Sequence, residues 1–69
     1  MPQYVILDND GDIAALRTAK TPEAALRKAA HDDYLSSDYG PFEVCELGPS
    51  AGKFNLKTET VTRFKVEKV

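Results

Sequence analysis

The 69-residue chain has no tryptophan and only one cysteine, one methionine and one histidine. A single cysteine, Cys45, excludes an internal disulfide. It lies in an apolar run, so we expect a small, buried and unreactive side chain, which fits a reducing cytoplasm. No apolar run approaches the ~20 residues of a membrane-spanning helix, and no charged-then-apolar start resembles a signal peptide. We therefore predict a cytoplasmic protein without a membrane association.

Residues for catalysis or cofactor binding are equally scarce. The lone His31 has no serine or cysteine nucleophile near it in sequence, which favours a histidine that caps a helix end, although a triad assembled in space stays open. The run DNDGD at residues 8–12 places its glycine before the third acid, whereas a calcium-binding EF-hand loop places it after. The run GPSAGK at residues 48–53 has one residue too few for a phosphate-binding loop. We predict no enzyme, no cofactor and no metal site.

One helix is indicated over residues 21–34. Thr21 can cap it, Pro22 suits its first position, and Glu23 lies in its first turn and four residues before Arg27. We expect the helix to fray after His31, because the two aspartates that follow oppose the helix dipole. A thin apolar stripe should pack on a sheet; its residues are Leu26, Ala29, Ala30 and Tyr34.

Strands are predicted on both sides of this helix. Residues 3–7 and 13–19 should form a hairpin around the 8–12 turn, with Asp10-Gly11 as a two-residue loop. That register pairs Val5 with Leu16 and Leu7 with Ala14. Residues 42–47 carry apolar side chains on both faces and read as a central strand. Residues 53–69 alternate with period two and form one long strand or two short ones.

The predicted fold is α+β, with the order β-β-α-β-β. One single domain, residues 1–69, should hold a mostly antiparallel sheet with the helix packed on one face. A core of this size leaves little room for a deep ligand pocket, so we expect the surface to carry the function.

Charge is distributed unevenly along the chain. Residues 1–50 carry nine acids and four bases, and residues 51–69 carry two acids and five bases, which together give the net charge of −2. Within the acidic part, residues 31–43 mix acids with aromatics, a composition suited to a protein partner with a basic surface. The predicted protein-binding residues are Asp32, Asp33, Tyr34, Asp38, Tyr39 and Glu43.

Two alternatives use the basic end of the chain. A basic strand can lie against phosphates, which would make the protein a nucleic-acid binder. Lysines on an edge strand also block unwanted pairing between sheets, and the final strands could instead pair between copies in a small homo-oligomer. The residues of the nucleic-acid alternative are Lys53, Lys57, Arg63, Lys65 and Lys68.

In its size and single compact domain the chain resembles the small accessory proteins of phages and mobile elements, a likeness of type that no motif carries. It implies an inhibitor or modulator of a host protein. The function expected first is therefore a small non-enzymatic protein-binding module.

Overall fold

A computed structural model describes residues 1–33, 35–60 and 63–69. Within these residues the chain forms one α-helix, one short 3₁₀ helix and five strands. In chain order the elements are β1 (Gln3–Leu7), β2 (Ile13–Thr18), α1 (Pro22–Asp33), the 3₁₀ helix (Ser37–Tyr39), β3 (Phe42–Cys45), β4 (Ser50–Thr58) and β5 (Phe64–Lys68).

The strands make a single antiparallel sheet in the order β2-β1-β3-β4-β5. The predicted α+β class is confirmed, and so is the central position of the third strand. The basic end of the chain forms two strands rather than one. β4 begins at Ser50, three residues before the predicted start at residue 53. The turn that precedes it is closed by the Glu46 N–H, which donates to the Pro49 carbonyl at 2.9 Å. No helix in the described ranges is long and apolar enough to cross a membrane.

The turn between β1 and β2 differs from the predicted two-residue loop. The Asp8 N–H donates to the Asp12 carbonyl at 2.9 Å, so three residues form the loop and the two aspartates do lie opposite each other. One Asp8 carboxylate oxygen accepts the N–H groups of Asp10 and Asp12 at 2.9 and 3.0 Å, which offsets the repulsion between like charges. Gly11 adopts a φ of 85°, the left-handed conformation that this loop type needs.

The longer loop changes the register of the hairpin by one residue at its outer end. Val5 pairs with Leu16 as predicted. The predicted pairing of Leu7 with Ala14 is wrong, since Leu7 pairs with Ile13 and a bulge lies between Ile6 and Leu7. A bulge absorbs one extra residue in one strand without reversing the faces of the rest.

Helix α1 begins as predicted, with the Thr21 hydroxyl accepting the Ala24 N–H at 3.1 Å. It continues to Asp33 instead of fraying after His31. The cause is Arg17 on β2, whose guanidinium pairs with the carboxylates of Asp32 and Asp33 and so offsets their unfavourable position at the helix end.

The core lies between α1 and one face of the sheet. Aromatic and branched side chains on the sheet meet small side chains on the helix, and the predicted stripe is confirmed at its described positions. The core residues are Tyr4, Ile6, Ala15, Ala19, Ala25, Leu26, Ala29, Ala30, Phe42, Val44, Phe54 and Leu56. Tyr34, the last residue of the predicted stripe, falls outside the described residues.

The other side of the sheet, called here the open face, carries no helix in the described part of the chain. Cys45 lies on the open face and is half-buried, contrary to the prediction that it is buried. Its direct neighbour across the ladder, Val5, is also only half-buried. Val5 pairs in turn with Leu16, which is 47% exposed. These three side chains form an apolar row across β2, β1 and β3.

Candidate protein-binding surface

The predicted acidic and aromatic residues do not form one surface. Asp32 and Asp33 are engaged within the molecule, where Arg17 pairs with both of them. Glu43 projects from the open face of β3 and accepts a hydrogen bond from the Ser50 hydroxyl at 2.8 Å. These acids therefore face opposite sides of the sheet. Tyr34 lies outside the described residues.

Asp38 and Tyr39 belong to a different part of the molecule. They form the short 3₁₀ helix, which begins where the Ser36 hydroxyl accepts the Asp38 N–H at 3.2 Å. The Tyr39 carbonyl accepts the Asn9 N–H at 2.9 Å, and this bond joins the 3₁₀ helix to the β1–β2 turn. The Tyr39 side chain stays 58% exposed.

The two segments together make an acidic end of the molecule, called here the acidic pole. These segments carry four carboxylates and one exposed tyrosine ring. Those of the turn are close together, with one carboxylate oxygen of each within 4.8 Å of the others. The pole consists of Asp8, Asp10, Asp12, Asp38 and Tyr39. A surface of this charge attracts basic side chains and disfavours acidic ones.

Strand β2 begins beside the acidic pole and forms one edge of the sheet. Its large apolar side chains Ile13 and Leu16 are 74% and 47% exposed. Arg17 is its only charged residue. Edge strands in monomeric proteins are normally blunted by lysines, prolines, bulges or short length. β2 has the bulge near its start but contains no lysine or proline.

The backbone of β2 also offers free hydrogen-bonding groups. The Ala19 N–H donates to the Pro2 carbonyl at 3.1 Å, which marks these residues as a hydrogen-bonded antiparallel pair. Such pairs alternate along the ladder, so Arg17 and Ala15 also bond toward β1. The N–H groups of Leu16 and Thr18 and the Thr18 carbonyl point to the free edge, whereas the Leu16 carbonyl accepts a hydrogen bond from the Arg17 guanidinium at 2.7 Å.

The opposite edge of the sheet, β5, is protected by charge. Directly opposed residues share a face, so the register of β4 and β5 places Lys57, Lys65 and Glu67 on the open face. The same register places Lys68 on the helix side, opposite Phe54. The basic residues predicted for a nucleic-acid surface are thus divided between two faces of the sheet.

Glu67 neutralises much of the charge on the open face. Lys65 Nζ lies 3.2 Å from its carboxylate and Lys57 Nζ lies 3.5 Å away. The hydrogen bond from Lys65 and then the charge of Lys57 lower the pKa of Glu67 from its ordinary value of 4.5. Phosphate binding by Lys57 and Lys65 would therefore have to compete with Glu67 for their charge.

This arrangement predicts a pH effect that can be measured directly. A depressed carboxyl pKa stabilises the folded state above the ordinary value, and that contribution is lost as pH falls through the folded pKa. In an NMR titration, Glu67 of the Lys57→Gln/Lys65→Gln variant should titrate at higher pH than Glu67 of the wild type. Equal midpoints for the two proteins would contradict the assigned cause.

Ile13 and Leu16 were not among the residues predicted from sequence. The signal in the sequence was the run of residues 13–16, which carries no charge in a chain that is 29% charged. That this run lies at an edge of the sheet follows only from the strand order. Comparison with known proteins adds no relative: no family model, no curated protein and no solved structure matches this chain.

Proposed function

We propose that the protein is a non-enzymatic protein-binding module that accepts an extended strand of a partner along β2. The observation that carries the proposal is the unprotected edge of β2, with Ile13 and Leu16 exposed beside it. Addition of a strand to a sheet edge is a common mode of peptide recognition, in which main-chain hydrogen bonds give affinity and alternate side chains give specificity.

The added strand would bond to the N–H groups of Leu16 and Thr18 and to the Thr18 carbonyl, and it would take the place of Arg17 at the Leu16 carbonyl. Its side chains on the open face would cover Leu16 and lengthen the apolar row of Cys45, Val5 and Leu16 by one strand. Removing such side chains from water contributes about 25 cal/mol per Å² of apolar surface. A partner segment that alternates apolar and polar residues fits this edge best.

The acidic pole defines the charge of the partner. Asp12 directly precedes β2, so an added strand passes the pole at that end. Basic side chains there would be attracted by the carboxylates, mainly speeding association, while Tyr39 offers a rigid aromatic anchor. We therefore still propose a protein partner with a basic surface. The proposed contact residues are no longer the whole segment 31–43, but Asp8, Asp10, Asp12, Asp38 and Tyr39.

The test introduces charge at the edge. In the double variant Ile13→Lys/Leu16→Lys we expect partner binding to weaken at least tenfold, because lysines on an edge strand disfavour strand addition. The matched control is Asn55→Lys, which adds a lysine to the exposed surface of an interior strand. The partner is captured from source cells on the wild-type protein and identified, and its binding to each variant is then measured by interferometry.

Hydrogen exchange locates the contact independently of mutation. Binding of the identified partner should slow exchange of the Leu16 and Thr18 amides, which point to the free edge. Full binding by the double variant, or protection confined to β5, would refute strand addition at β2.

A second copy of the chain is the alternative occupant of this edge, and one feature favours it. Antiparallel pairing of two β2 strands centred on Leu16 would place Asp12 of each copy opposite Lys20 of the other, so opposite charges would meet at both ends. Light scattering on the purified wild type would then show a dimer that the Ile13→Lys/Leu16→Lys variant does not form. The homo-oligomer alternative thus shifts from the final strands to β2.

A further inference from the structure

A groove of about 560 Å³ lies on the helix side of the molecule, between α1 and the start of β5. Its helical wall consists of residues spaced three and four positions apart, which share one flank of a helix. This flank is distinct from the buried stripe that faces the sheet. The residues lining the groove are Ala24, Arg27, Lys28, His31, Arg63 and Phe64.

The lining is basic, although the whole chain is acidic. Arg27, Lys28 and Arg63 are exposed, and no acidic residue in the described part of the chain lines the groove. None of these three cations forms an ion pair with a described residue. The i,i+4 pair expected between Glu23 and Arg27 is not formed either. Cations gathered around one space repel each other, and a bound anion removes that repulsion.

The two arginines suit phosphate in particular. A guanidinium presents parallel N–H donors that match two phosphate oxygens, and its charge does not depend on pH in the physiological range. Arg27 comes from the helix and Arg63 from the residue before β5, so they approach the groove from opposite walls. Lys28 and His31 add further donors on the helical wall.

Phe64 gives the groove an aromatic wall. Its ring is half-buried against the core and still lines the open space. Aromatic side chains beside a basic groove are the usual arrangement for binding nucleotides of a single strand, where bases stack on rings and cations follow the phosphates. The volume lies within the range of about 300–1,000 Å³ found for small-molecule sites, which suits one nucleotide at a time.

We propose that this groove binds a nucleotide, either as part of a single-stranded nucleic acid or free in solution. Arg27, Lys28 and Arg63 hold the phosphates and Phe64 contacts the base. The site differs from the one implied by the basic residues of the chain end, of which it contains only Arg63. The groove is also separate from the β2 edge, so the test of nucleotide binding does not depend on the proposed protein-binding function.

The first experiment measures binding of a fluorescein-labelled ten-nucleotide thymidine strand by anisotropy as a function of salt. With three cations on phosphates, the logarithm of the binding constant should fall with the logarithm of salt concentration with a slope of about −2. The Arg27→Gln/Arg63→Gln variant should bind at least tenfold more weakly with a slope of about −0.7. The matched control, Lys53→Gln/Lys65→Gln, removes the same charge from the open face and should bind nearly as the wild type does.

A second variant separates the base from the phosphate. Phe64→Leu keeps an apolar side chain against the core but removes the ring, and it should weaken binding about tenfold while leaving the salt slope unchanged. Amide NMR spectra of each variant establish that the fold is retained. Equal losses in the open-face control and the groove variant would mean non-specific attraction, and the inference would be wrong.

Competition identifies the source of the ligand. If adenosine monophosphate shifts the amides of the groove residues and displaces the strand, the groove takes free nucleotides; if only the strand binds, it takes nucleic acid. Displacement by inorganic phosphate as effective as by the nucleotide would show that the base contributes nothing and would overturn the proposal. Absence of binding by strand and nucleotide alike, at low salt, would overturn it as well.

Discussion

Phe54→Ala is expected to destabilise the folded protein by about 3–5 kcal/mol, the usual cost of emptying a fully buried aromatic site. Phe54 on β4 lies directly opposite Phe42 on β3, and neither has any solvent exposure. Both rings face the helix, so removal of one leaves a cavity at the middle of the core that neighbouring alanines are too small to fill.

The size of the domain makes this loss severe. The single core of a chain of 69 residues rarely supplies more than about 3–5 kcal/mol of stability, so the variant should be partly or wholly unfolded at 25 °C. Urea unfolding followed by circular dichroism measures the change. Tyr39→Ala removes an aromatic ring that is 58% exposed and serves as the control, with an expected effect within about 0.5 kcal/mol. A loss below about 1.5 kcal/mol for Phe54→Ala would show that the core repacks around the gap.

Ala29→Leu should have the second largest effect, and it acts by overfilling. Ala29 has no solvent exposure and lies where α1 meets the sheet. A leucine there must push the helix away or adopt a strained rotamer, at a cost of about 1–3 kcal/mol. Alanine and leucine have nearly equal helix propensity, so the change reports packing rather than helix formation.

The same helix supplies a matched control. Ala24 is half-buried and borders the groove between α1 and β5, where a larger side chain has room. Ala24→Leu should leave the urea midpoint nearly unchanged, while Ala29→Leu lowers it. Equal midpoints for the two variants would mean that the helix does not rest closely on the sheet through its alanines.

The parts of the fold that depend on neighbouring residues could be predicted from the sequence. The Thr21 cap, the buried stripe of Leu26 and its neighbouring alanines, and the pairing of Val5 with Leu16 are all local in the chain, and the structure contains them. Local propensity and periodicity suffice for such features.

Features that bring together residues far apart in the chain were not predicted from the sequence. The helix reaches Asp33 because Arg17 on another element pairs with its last acids, and no local rule anticipates that contact. The groove requires Arg27 and Arg63 on facing walls, which follows only from the placement of β5 beside α1. The proposed binding edge was missed for the same reason, because strand order decides which two of the five strands lie at the edges of the sheet.

The acidic segment shows how sequence proximity can mislead. Residues 31–43 are continuous in the chain, but Asp33 faces Arg17, Glu43 lies on the open face and Tyr39 adjoins the β1–β2 turn. Composition identified residue types suited to a protein interface, and tertiary structure then separated most of them. Asp38 and Tyr39 remain together and lie beside the aspartates of the 8–12 turn, for which no binding role was predicted.

The position of β1 within the sheet has a consequence for synthesis on the ribosome. Val5 pairs on one side with Leu16, which is translated shortly after it, and on the other side with Cys45, which comes much later. A nascent chain that has emerged only through α1 therefore carries a hairpin with one bare flank, while Phe42 and Phe54, two of the three buried aromatic residues in the described part of the chain, have not yet emerged. Cooperative folding has to wait for β3 and β4, and until they emerge one edge of β1 stays without its partner strand.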